Sequence, residues 1–178
     1  MTTIILTIVG ILIAAVAALM VLWYGGAAFE TGLARAQANT SVNNVQQVAN
    51  GIALRNARTG LPMDSGSDVT GMTALLQEGY LSSVPTNALT GLPGSYGIVD
   101  EAGSNTGKPA KWVYTIIGAS TDAHAKQVCR TIERNMRRND PSDHIDRQVR
   151  FDEWTAVHRS ASCIYNYYSN SFLLYAPV

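Results

Sequence analysis

Residues 1–30 read MTTIILTIVGILIAAVAALMVLWYGGAAFE, and Glu30 is the first charged side chain of the protein. From Ile4 to Tyr24 only Thr7 and Gly10 interrupt the apolar residues. As a helix this stretch would cover about 30 Å, the thickness of one bilayer core. Trp23 and Tyr24 follow where an interfacial aromatic belt belongs. A cleaved secretory signal has a basic flank ahead of its apolar core, and no Lys or Arg precedes this one. The segment is therefore expected to remain in the working protein, with Met1 as a processed N-terminus from which a basic leader has been removed.

The apolar run does not end the helical pattern. Ala38, Val42, Val45, Ala49 and Ile52 recur at alternating spacings of four and three, with Gln, Asn and Ser between them. That periodicity predicts an amphipathic helix continuing to about Ala57, where Gly60 and Pro62 stop it. Half of one long helix would lie in an apolar medium and half on a globular domain. Gly25 and Gly26 join the halves, each disfavouring helix by about 1 kcal/mol relative to alanine. Local loss of helix is expected there, although close packing of small residues explains the pair equally well.

The chain has 178 residues, room for one modest domain beyond the apolar run. Residues 1–29 form the expected apolar helix, and residues 30–178 the expected head, including the amphipathic half of the helix. Lys+Arg and Asp+Glu balance at 13 each, so no global basic field recruits nucleic acid. The two cysteines, Cys129 and Cys163, are expected to form a disulfide. Closing a loop of about 35 residues contributes roughly 3–4 kcal/mol in the chain-entropy model.

Met72, Leu75, Leu76 and Tyr80 predict a short helix stopped near Gly79, followed by the turn-rich NALTGLPGSYG. Tyr96 to Val99 and Lys111 to Ile117 read as strands around a loop from Gly103 to Gly107. Ser120, Thr121 or Asp122 is placed to cap the next helix. Ala125, Val128, Cys129, Ile132 and Met136 share one face of that helix, and Arg130, Arg134, Arg137 and Arg138 share the other. Gln148 to Phe151, Ser162 to Tyr165 and Ser171 to Tyr175 complete an antiparallel sheet of about four to six strands. The expected fold is α+β: a long N-terminal helix packed on a small antiparallel sheet domain with one disulfide.

An apolar start of this kind, one long helix and a C-terminal cysteine pair resemble a type IV pilin of the IVb subclass. VYTIIGASTDAHAKQVCRTI places the first cysteine in a helix after a strand, and SCIYNYYSNSFLLYA places the second before the terminal strand. Both arrangements, and the Asn-containing turn TNALTGLPGSYGI, are similar to those of toxin-coregulated and conjugative thin-pilus pilins. The likeness runs along nearly the whole chain, carried by the order of the motifs.

The resemblance implies a major pilin, the repeating structural subunit of an extracellular filament for cell-cell contact, adhesion or conjugative DNA transfer, with a single-pass inner-membrane pool before assembly. A prepilin peptidase and assembly machinery would be its partners, together with membrane lipid and copies of itself. Met1 would carry the processed, methylated amine, and Cys129–Cys163 would bound the variable surface region. Ile5, Ile11, Val16, Leu19 and Leu22 would pack the filament core, the plainer alternative being lipid-facing anchor residues. One departure stands out: the family's glutamate at the fifth mature position is Ile5 here. Thr2, Thr3 and Thr7 offer hydroxyls to the Met1 amine but no negative charge. A minor pilin, a secretion pseudopilin and a membrane-anchored binding domain remain the alternatives.

Elsewhere the residues point away from chemistry. The Arg face is either solvated or an inter-subunit contact, with direct nucleic-acid binding ranked below both. Asp140, Asp143, His144 and Asp146 lack the glycine and distal glutamate of a calcium loop, so a polar surface loop is expected. His124, His144 and His158 have no zinc-type spacing. No catalytic residue, metal or cofactor is assigned. The tyrosines of IYNYYSNSFLLY suggest an adhesive surface, with alternating strand burial as the competing explanation.

Overall fold

The computed structural model describes residues 2–63, 68–100, 112–136 and 161–178. It divides into two compact units, Met1–Ala34 and Arg35–Val178. Helix α1, Thr2–Thr59, is 58 residues long and enters both. It runs unbroken through Gly25 and Gly26, so the expected loss of helix there is absent from the single chain. Two glycines weaken propagation but leave every backbone donor in place, whereas interrupting a helix exposes polar groups and requires a second nucleation. The alanines that follow, Ala27 and Ala28, are the strongest helix formers and favour propagation across the pair.

The second half of α1 buries the periodic stripe. Ala38, Val42, Val45, Ala49 and Ile52 are all buried, joined by Ser41 and by Val48, which is fully enclosed. Gly60 ends the helix in the left-handed region (φ 67°), its amide donating to the Asn56 carbonyl at 3.0 Å. Asn56 Oδ1 also accepts from the Met63 amide at 2.8 Å, which fixes the exit of the chain.

Helix α2, Asp68–Gln77, ends on the same device. Gly79 has φ 76°, and the Leu75 carbonyl accepts from the amides of Tyr80 at 2.9 Å and Leu81 at 3.1 Å. An ion pair between Arg55 and Glu78 at 2.8 Å joins its end to α1. The turn that follows is pinned by Asn87, whose Oδ1 accepts from the Leu89 amide and whose Nδ2 donates to the Ile116 carbonyl, each at 2.8 Å. Asn44 and Gln37 of α1 donate to the Thr86 and Ala88 carbonyls at 2.7 and 3.2 Å, so the turn is held between helix and sheet.

The sheet contains β1 (Tyr96–Val99), β2 (Trp112–Ala119), β3 (Ser162–Asn166) and β4 (Ser171–Pro177). Its order is β1-β2-β4-β3, with every pairing antiparallel. The proposed strand at Gln148 to Phe151 and the loop at Gly103 to Gly107 lie outside the described residues. From Ser171 to Ala176 every residue of β4 is buried, which requires cover on both faces. The alternation expected for a half-exposed strand is therefore absent from β4.

Helix α3, Ala123–Met136, packs on β2, β3 and β4. Of the three candidate caps it uses Asp122, whose Oδ1 accepts from the His124 and Ala125 amides at 2.8 and 3.2 Å. Its inner face is Ala125, Val128, Cys129, Ile132 and Glu133, with Met136 half-buried. Gly118 allows the close approach to β2, since a Cβ there would stand 2.7 Å from that of Ala125.

Candidate functional site

The first unit presents large apolar side chains to solvent along the helix. Ile5, Ile11, Val16 and Leu19 are 61%, 65%, 51% and 64% exposed. Consecutive residues share this exposure, as with Ile11, Leu12 and Ile13, and with Leu19, Met20 and Val21. Neighbours on a helix point about 100° apart, so the apolar surface goes round the helix and is not one stripe. The Leu22 side chain and Met1 lie outside what is described. Among the described residues no helix is long and apolar enough to cross a membrane.

Four features of the second unit carry polar chemistry. The first is the cysteine pair: Cys129 and Cys163 form the disulfide, with Cα atoms 5.5 Å apart and both residues fully buried. It ties α3 to β3. Beside it lies Glu133, only 4% exposed, which the sequence reading passed over. Its Oε1 accepts from Ser162 Oγ at 2.5 Å and from the Cys163 amide at 2.6 Å. A carboxylate removed from water needs such donors, and bonds to a charged acceptor are the stronger kind. The signal was present in the spacing, because Glu133 is four residues after Cys129 and shares its face.

The second feature is the Arg face. Arg130 and Arg134 are exposed on α3, one turn apart, while Arg137 and Arg138 lie outside the described residues. A cation near a helix C-terminus is favoured by the dipole, which accounts for Arg134 without a ligand.

The third is the β3–β4 turn. Tyr167 and Tyr168 are 62% and 80% exposed, with ring centroids 6.0 Å apart in an edge arrangement. Asn166 Oδ1 accepts from the Tyr168 amide at 2.8 Å. Asn170 takes a left-handed conformation (φ 47°), and its Oδ1 accepts from Tyr165 Oη at 2.8 Å and Ser120 Oγ at 2.7 Å. Asn170 thus ties the turn to Ser120, just beyond the end of β2, and to Tyr165 of β3.

The fourth is an open groove of about 460 Å³ on α1. Its walls are the side-chain amides of Asn43, Gln46, Gln47 and Asn50, with Leu54 and Tyr80 at the apolar positions. Arg58 stacks over the Tyr80 ring at 6.0 Å.

Among the described residues no group of three or more His, Cys, Asp or Glu side chains is placed to hold a metal ion. Asp140, Asp143, His144, Asp146 and His158 fall outside them. His124 faces Gln37 Oε1 at 2.5 Å and so joins α3 to α1. Compared with known proteins, the chain matches no family model, no curated protein and no solved structure.

Proposed function

We propose that this protein is a structural subunit of an extracellular filament of the type IVb pilin kind. It polymerises through its apolar N-terminal helix and carries a disulfide-braced α+β head on the outside. The observation that carries the reading is the apolar surface around α1 between Ile5 and Val21, attached to a head with its own buried core. Large contiguous apolar surface does not persist in water, where each Å² covered returns about 25 cal/mol. Lipid covers such a helix before assembly, and copies of the same helix cover it afterwards.

Bundling favours a helix that is apolar all round, because each copy in a filament core has neighbours on several sides. The order of motifs, from apolar helix through amphipathic helix to a cysteine pair that joins α3 to β3 ahead of the terminal strand, supports the same reading. Ile5, Ile11, Val16, Leu19 and Leu22 are the proposed core contacts. Arg130 and Arg134 are proposed to meet acidic residues of neighbouring copies. The neutral balance of 13 basic and 13 acidic residues disfavours direct nucleic-acid binding.

Imaging of material sheared from the cell surface tests the proposal. Filaments that contain this chain, with an inner-membrane pool of the same chain, are the expected result. A chain found wholly with the membrane fraction and never in filaments would identify a membrane-anchored binding domain instead.

A further inference from the structure

We propose that the Tyr167–Tyr168 turn of one copy seats in the amide-walled groove on α1 of the next copy. The inference rests on the filament reading and names a head-to-head contact within it, separate from the packing of the apolar helices.

Three observations lead to this pairing. The turn projects two tyrosines that together offer a large aromatic surface, at 62% and 80% exposure. Its backbone is already held by Asn166, and Asn170 ties it to Tyr165 and Ser120, so docking orders little that is not ordered beforehand. Tyrosine presented among Ser and Asn is a combination suited to protein surfaces, because it supplies contact area at low conformational cost together with adaptable hydrogen bonding.

The groove offers the opposite shape and the same polarity. Four amides line it, each with donors and an acceptor for tyrosine hydroxyls and turn carbonyls, and Leu54 and Tyr80 supply apolar contact for the rings. Charge matches as well. No residue from Ser160 to Val178 is ionic, and neither is any wall of the groove. The cation beside the groove, Arg58 over the Tyr80 ring, is one that an aromatic turn can meet with its ring faces.

Symmetry supplies the third argument. Turn and groove are different surfaces of the same unit, so a contact between them is heterologous, and a heterologous contact that does not close on itself propagates as a helical filament. Two tyrosines bury about 150–250 Å² each, well below a standard stable interface. The contact therefore sets register between heads and adds to helix bundling, repeated once per copy.

Cross-linking in the full-length chain tests it. Chains carrying both Gln47→Cys and Tyr168→Cys, assembled and then mildly oxidised, are expected to give a ladder of covalent multimers on a non-reducing gel. Either single substitution gives no product beyond a dimer, because a ladder needs two different reactive positions per copy. Filaments that form normally yet show no ladder overturn the inference and leave the filament reading intact. An unmodified chain that forms no filament overturns both. As a second measurement, the double substitution Tyr167→Ala and Tyr168→Ala is expected to lower filament recovery at least tenfold with the Cys129–Cys163 disulfide intact. Unchanged recovery overturns the proposal, and a loss of adhesion to a neutral glycan alongside it assigns the turn to an outside ligand.

Discussion

Glu133 lies near the C-terminal end of α3, where the helix dipole disfavours a negative charge, and it is buried. Both costs are offset by Ser162 Oγ and the Cys163 amide, so this carboxylate latches helix to strand beside the disulfide. Glu133→Ala leaves those donors without their acceptor and is expected to cost about 3 kcal/mol of unfolding free energy, measured by urea denaturation. Glu133→Gln keeps an oxygen acceptor and is expected to lose less. Tyr96 supplies a second residue-level expectation. Burial pushes its phenol up from 10.0 to about 12. Between those values the unfolded chain has lost its proton and the folded chain has kept it, so stability falls as pH rises from about 10 to about 12. Tyr96→Phe is expected to flatten that part of the stability profile, as read from thermal unfolding across the alkaline range. The spacing from Cys129 put Glu133 on the buried face, but a lone Glu among arginines reads as solvated until its donors are seen, and a Tyr opening a strand fits either face.

At the scale of elements, α1 was readable because its signal is local. The spacing of Ala38, Val42, Val45, Ala49 and Ile52 encodes a buried face, and Gly60 encodes the stop. Gly25 and Gly26 favour a break when propensity is weighed residue by residue, yet α1 is helical through both in the single chain, because a helix propagates cooperatively. In the sheet, the strands at both ends of the head were visible as β-branched and aromatic runs. The burial of β4 on both faces was not, because it depends on what covers the sheet and not on the strand. The disulfide joins α3 to β3 across a sequence separation of 34. Replacing both Cys129 and Cys163 by Ser is expected to lower stability by roughly 3–4 kcal/mol, read as a drop in the denaturant midpoint. Retention of sheet signal by the folded fraction would show that Glu133 and the strand pairings still hold the junction.

At the scale of the whole molecule, the proposed filament makes demands on the two units that can be separated by mutation. Ile11 is 65% exposed, so Ile11→Asp removes nothing from the packed core of the single chain. An Asp within a bundle of apolar helices has no water and no partner, and filament recovery is expected to fall at least tenfold while the head keeps its disulfide. Loss of the head's disulfide and fold in that variant would count against the separation of roles. The sequence by itself determined the stop of α1 near Gly60, the amphipathic stripe, the α3 face and the cysteine pairing, because each is carried by neighbouring residues or by there being only two cysteines. Only the tertiary structure decided the order β1-β2-β4-β3, the burial of Glu133, and the exposure of Tyr167 and Tyr168 on a braced turn. The physical reason is that periodicity is written in adjacent positions, whereas these features arise where segments distant along the chain bring donors, cover or open space to one another.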